Sequence, residues 1–136
     1  MTDSFPITIY HNPKCGTSRN TLAMIEAAGY APTVVEYVKA GWTRPQLDLI
    51  LADMDAAPRE IMRTKGTPAE ELGLTDPAAS DEAILAAMVE HPILVNRPIV
   101  VTPKGTKLCR PSEVVLGLLD RKPESFTKED GEVVKL

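Results

Sequence analysis

A chain of 136 residues with 43% hydrophobic and 25% charged side chains is long enough to bury one apolar core without disulfides or a structural metal, and its mean hydropathy of -0.09 argues against disorder away from the ends. A formal charge of -4 and a pI near 5.2 give no long-range attraction to nucleic acid. No stretch is long and apolar enough to span a bilayer and MTDSFPITIY has no basic region followed by an apolar run, so no membrane role and a cytoplasmic location are expected.

The first elements are a β-prone run, Ile7 to Tyr10, a polar turn, His11-Asn12-Pro13-Lys14, and a helix from Gly16 to Ala28 with Leu22, Ile25 and Ala28 at helical spacing. Gly29 supplies the stop. Thr33 to Val38 is rich in β-branched residues and reads as a second strand, which makes a βαβ unit with parallel strands. Thr43-Arg44-Pro45-Gln46 has the form of a capping box, followed by Leu47, Ile50, Leu51 and Met54 on one helical face. Pro58 to Arg63 reads as a short helix, and Thr67-Pro68-Ala69-Glu70 as a second capping box opening another, closed by Gly73. Ser80 caps a longer helix with Ile84, Leu85, Met88 and Val89 inward, ended by His91-Pro92.

Strand character returns at Ile93 to Val95 and Ile99 to Thr102; Pro103-Lys104-Gly105 then turns the chain into Thr106 to Cys109 as an antiparallel hairpin. Arg110-Pro111-Ser112-Glu113 starts a last helix with Val114, Val115, Leu118 and Leu119 inward, and from Arg121 the charged tail is expected to pack loosely. The order is βαβ, several helices, then ββα. That is the order of an α/β thioredoxin-like mixed sheet in a single domain over residues 1–136, with a helical insertion at about 43–91.

Cys15 is the residue the chemistry points to. It opens a helix, where unpaired backbone N–H groups and the macrodipole favour a negative charge, and so favour thiolate. Gly16, Thr17 and Ser18 add small or hydroxyl-bearing neighbours, Lys14 precedes it, and Arg19 adds a cation one turn on. Cys15, Cys109, His11 and His91 lack both a disulfide framework and metal-ligand spacing, so no metal site is expected. Alternation beside Leu108 reads Cys109 as a packing residue. His11 reads equally as a solvated strand-end residue and Arg19 as half of a helix-surface pair, while His91 reads as a helix-end cap and Trp42 as a packing residue.

Three blocks carry a family resemblance: His11 to Leu22, with its His-x3-Cys-x3-Arg spacing; His91 to Pro103; and Gly105 to Leu116. They resemble the glutaredoxin-coupled arsenate reductases, the ArsC family, and Phe126 to Glu132 resembles that family's tail. The resemblance implies reduction of arsenate to arsenite, with no bound cofactor, glutathione as cosubstrate and glutaredoxin as partner. It places Cys15 as the nucleophile, His11 as a histidine that influences the thiolate, and Arg63, Arg97 and Arg110 as the oxyanion-binding arginines. Lys14 departs from the family's small residue before the cysteine, and an extra cation there is expected to favour thiolate.

Position 18 is Ser where a dithiol oxidoreductase has its second cysteine, so Cys15 needs an external thiol. The first alternative is a glutathione-dependent reductase or transferase of the same fold that does not act on arsenate. A phosphatase-like arsenate reductase needs Cys-x5-Arg and resolving cysteines, and the redox-sensing regulators of this fold carry Cys-x2-Cys; Cys15-Gly16-Thr17-Ser18-Arg19 matches neither. Arg97 and Arg110 each precede a proline, which restricts their backbone and places both as candidates for one site.

Overall fold

The computed structural model describes residues 5–120 and the backbone of 125–127 and 133–135. The chain forms two compact units, one of Met1–Glu36 and Arg97–Leu136, the other of Tyr37–Asn96.

The first unit is built on four strands: β1 (Thr8–His11), β2 (Thr33–Glu36), β3 (Ile99–Thr102) and β4 (Gly105–Leu108), in the order β2-β1-β3-β4. β1 and β2 are parallel, with Thr8 opposite Thr33 and His11 opposite Glu36. β3 runs antiparallel to β1, with Ile9 opposite Val100, and β4 runs antiparallel to β3. The β3–β4 hairpin closes over Pro103 and Lys104, because Thr102 pairs with Gly105, whose φ of 143° suits a residue without a Cβ.

Side-chain alternation along the first strand sends Ile7 and Ile9 inward, where they pack with Met24, Ile25, Val100, Cys109, Val115 and Leu118. Full burial of each aliphatic chain of this kind stabilises by about 1.5–3 kcal/mol. Helix α1 (Gly16–Ala27) closes over this core with Ser18, Thr21, Met24 and Ile25 buried, while the expected Leu22 and Ala28 lie half-buried at its margin. The last helical stretch, Ser112–Leu118, is 3₁₀ rather than α; it packs on α1 and buries Val115, Leu116 and Leu118. The expected loose packing from Arg121 falls largely outside the described residues; within it β5 (Ser125–Thr127) and β6 (Val133–Lys135) pair antiparallel.

The second unit is helical with one isolated bridge. The strand expected over Thr33 to Val38 stops at Glu36, and α2 (Tyr37–Ala40) begins at once. The reason is tertiary: Tyr37 is fully buried, its hydroxyl donates to the Val95 carbonyl at 2.8 Å, and its ring lies 5.3 Å from that of Trp42. Helix α3 (Arg44–Met54) starts as its capping box dictates: the Thr43 hydroxyl accepts from the Gln46 N–H, Gln46 reaches back to the Thr43 N–H at 2.8 Å, and proline sits in the first turn. Helix α4 (Asp81–Glu90) is capped by Ser80, packs on α3 and on the Pro58–Ile61 and Pro92–Leu94 segments, and buries Ile84, Leu85 and Met88, but leaves Val89 39% exposed, outside the buried face expected for it.

Three expected elements in this unit differ. Pro58–Ile61 is a 3₁₀ turn, which Met62 leaves by bridging to Val95. Thr67 to Glu70 opens no helix: the Thr67 hydroxyl donates to the Arg63 and Thr64 carbonyls and accepts from Ala69 N–H, one residue short of the bond a capping box makes, and the segment runs on as turns. Pro92–Leu94 is 3₁₀, not strand, and Val95 forms an isolated bridge with Met62 instead of a strand. The helical segment expected at 43–91 falls within this unit. No helix among the described residues is long and apolar enough to cross a membrane.

Candidate active site

The site lies in the first unit, where β1 ends and α1 begins. The chain leaves the sheet at His11, turns through Asn12-Pro13-Lys14, and enters the helix at Cys15, its N-cap, with φ -102° and ψ 122°. Asn12 organises the turn. Its carbonyl accepts from Cys15 N–H at 3.0 Å, its side-chain oxygen accepts from Lys14 N–H at 3.0 Å, and its own N–H donates to Ser18 Oγ at 3.1 Å. Arg19 ties the turn from outside by donating to the Pro13 carbonyl at 2.7 Å.

Cys15 is 8% exposed. Burial alone pushes a thiol pKa up, but here the backbone amide of Ser18, the charge of Arg97, the Arg110 guanidinium and the amide of Thr17 together outweigh it and hold the thiol below its ordinary value. Arg110 Nη1 stands 3.7 Å from Cys15 Sγ and also donates to the Arg97 carbonyl at 3.0 Å. That carbonyl aims the guanidinium at the sulfur. The two arginines flank the open end of the β3–β4 hairpin, Arg97 before β3 and Arg110 after β4, and both Arg97-Pro98 and Arg110-Pro111 are cis.

His11 is buried at the end of β1, with Nδ1 2.6 Å from the fully buried Ser18 Oγ. Burial lowers the imidazole pKa; Glu36, opposite it on β2, raises it and Arg19 lowers it again, with a net shift downward. Burial thus favours the neutral imidazole, which Ser18 joins to the Cys15 helix. Lys14 is exposed, and it is not among the groups that lower the Cys15 pKa.

Arg63 belongs to the second unit. Its N–H donates to the Leu94 carbonyl at 2.7 Å and its Nε to the Lys65 carbonyl at 2.9 Å. Cys109 is fully buried in the first core; desolvation pushes its thiol up to about 12 against the opposing charge of Lys107, and its Sγ lies 3.6 Å from the Lys107 carbonyl. It is a packing thiol. The residue that sequence reasoning passed over is Asn12, whose three bonds shape the turn; its signal was an Asn-Pro step directly after a strand.

A helix-start cysteine, two amides and two guanidinium groups give a site whose chemistry favours a thiolate and suits an anion. The sequence model of the ArsC family matches residues 10–118. The chain is 62% identical over 135 residues to arsenate reductase ArsI1 of Synechocystis sp., covering 98% of this chain and 93% of that protein. It is 60% identical over 129 residues to an arsenate reductase of Rhizobium meliloti, covering 94% and 92%. The solved structure of an arsenate reductase from Vibrio cholerae superposes with a TM-score of 0.81 at 41% identity, over 86% of this chain and 100% of that one. The mixed sheet and its flanking helices are thus the thioredoxin-like fold of these enzymes. With the family match running from residue 10 to 118 and taking in Cys15, Arg97 and Arg110, the chain belongs to the ArsC family.

Proposed function

We propose that this protein is an arsenate reductase that uses the Cys15 thiolate as nucleophile and glutathione with glutaredoxin as electron source. The observation that carries the reading is the Arg110 guanidinium 3.7 Å from Cys15 Sγ, in a site whose amides and arginines favour an anion. Identity of 62% and 60% to proteins named arsenate reductases supports the substrate.

In the proposed reaction Cys15 attacks arsenic, an As–O bond breaks, and the oxygen leaves as water with the protons of the acid. Arg97 and Arg110 hold the arsenate oxygens and neutralise the charge that gathers on them. Glutathione then brings the second thiol: a sulfur–sulfur bond forms between it and Cys15, the electron pair of the As–S bond stays on arsenic, and the thiol proton passes to an arsenic oxygen. Arsenic leaves as arsenite, two electrons richer. Glutaredoxin exchanges with the mixed disulfide to restore the thiol. Ser18, in the place of a second cysteine, leaves Cys15 without a local resolving thiol, and Cys109 is held protonated in the core. Arg63 enters the proposal through the family resemblance alone, as a third oxyanion ligand.

The test is arsenate-dependent NADPH oxidation in an assay coupled through glutathione, glutaredoxin and glutathione reductase. Turnover by the wild type and none by Cys15→Ser is expected. Absence of arsenate-dependent turnover with every thiol donor tried would overturn the reading, and turnover of glutathione mixed disulfides without arsenate reduction would favour the general thiol reductase.

A further inference from the structure

The site has three negative charges to manage: the thiolate, the oxyanion and the incoming thiol donor. The Ser18 and Thr17 amides, Arg97 and Arg110 act on the first, and the two arginines serve the second in the proposed reaction. Lys14 is left over. Its side chain is exposed, makes no hydrogen bond or ion pair among the described residues, and is not among the groups that lower the Cys15 pKa. Its backbone, in contrast, is fixed from both sides, by Lys14 N–H on the Asn12 side-chain oxygen at 3.0 Å and by Arg19 on the Pro13 carbonyl at 2.7 Å. A rigid base with a free cationic arm therefore stands one residue from the nucleophile.

We propose that Lys14 is a specificity residue for the thiol donor, pairing with a carboxylate of the anionic tripeptide glutathione as its sulfur approaches Cys15. This rests on the thiol-donor part of the functional proposal. Adjacent Cα atoms are about 3.8 Å apart, and an extended four-carbon arm carries the ammonium roughly 6 Å further, a reach of the same order as the span from the thiol of glutathione to its terminal carboxylates. In a chain of net charge -4, the exposed cations Lys14, Arg19 and Arg110 also make this turn locally attractive to an anionic thiol.

Disulfide exchange tests this without arsenate. The Cys15 thiolate attacks one sulfur of a disulfide, that S–S bond breaks, and the second half leaves as thiolate; oxidised glutathione and neutral 2-hydroxyethyl disulfide serve as the two probes. The ratio of the two rates is the readout, because a change in Cys15 reactivity moves both rates and cancels. Lys14→Ala is expected to lower the ratio about two- to fivefold, as befits an exposed pair, Lys14→Glu to lower it further, and Lys14→Arg to retain it. High salt should erase the difference between wild type and Lys14→Ala. In arsenate turnover the KM for glutathione should rise while the KM for arsenate holds. An unchanged ratio, equal slowing with both probes, or a rise confined to the arsenate KM would overturn the proposal. If the wild type reduces no arsenate, the reductase reading fails while the disulfide ratio still decides the role of Lys14.

Discussion

Arg110 Nη1 lies 3.7 Å from Cys15 Sγ, although 95 residues separate them in the chain. The contact exists because the antiparallel β3–β4 hairpin brings Arg97 and Arg110 to the edge of the turn that β1 feeds into α1, and because the Arg97 carbonyl receives the Arg110 guanidinium at 3.0 Å. Position and charge act together on one sulfur.

The pH dependence of Cys15 follows from that arrangement. Its alkylation by iodoacetamide should rise with pH through an inflection below the ordinary thiol value of 9.0. Arg110→Ala and Arg97→Ala should each move the inflection upward. In stability the sign is the same as for a carboxylate with a depressed pKa: the thiolate is favoured in the folded state, so the contribution is present above the unfolded value and is lost as pH falls through the folded one. An inflection at or above 9.0 in the wild type contradicts the electrostatics.

The two cysteines should separate cleanly. In native protein at neutral pH, mass spectrometry after brief alkylation should find Cys15 labelled and Cys109 untouched, since Cys109 is fully buried with its thiol pushed up to about 12. Cys109→Ala should keep most of the arsenate turnover and cost about 1 kcal/mol in denaturant unfolding, as a small core truncation does. Comparable loss of turnover in Cys15→Ser and Cys109→Ser would exclude a mechanism with one nucleophilic cysteine.

Ser18 holds two partners in a buried pocket, His11 Nδ1 at 2.6 Å and the Asn12 N–H at 3.1 Å. Ser18→Ala removes both bonds without adding volume and should lower stability by about 1–3 kcal/mol. The His11 ring protons should shift in NMR spectra. Retention of wild-type stability and an unchanged His11 spectrum would show that the hydroxyl is dispensable.

Arg59 is a staple in the second unit. Its guanidinium donates to the Leu74 carbonyl at 3.0 Å, the Asp76 carbonyl at 3.1 Å and the Ala79 carbonyl at 3.0 Å, holding the turn that leads to α4. Arg59→Ala should speed amide exchange across residues 74–79 and cost on the order of 2 kcal/mol. Exchange unchanged in that segment would rule the staple out.

A helix cap gives a smaller effect. Thr43→Ala breaks the reciprocal bonds with Gln46 at the start of α3 and should lower stability by about 1 kcal/mol, seen as a drop of a few degrees in Tm with turnover retained.

What could be read along the chain was what short-range chemistry controls. A β-branched run followed by a polar turn predicts β1 and the start of α1; Thr43 and Ser80 announce their helices through their own hydroxyls; and Cys15 is at a helix start whatever the rest of the fold does. Tertiary structure decided the rest. Tyr37 leaves the strand pattern because its buried ring and hydroxyl find Trp42 and the Val95 carbonyl, while Thr67 spends its hydroxyl on neighbouring carbonyls instead of a helix. Even at the turn that carries Cys15, the sequence by itself determined only that a thiolate would be favoured. Which cations face the sulfur was decided by the sheet: strand pairing brings Arg97 and Arg110 to Cys15, whereas Lys14, its neighbour in sequence, is not among the groups that lower its pKa. Coulomb energy depends on distance through space and on the local dielectric, and neither is set by separation along the chain.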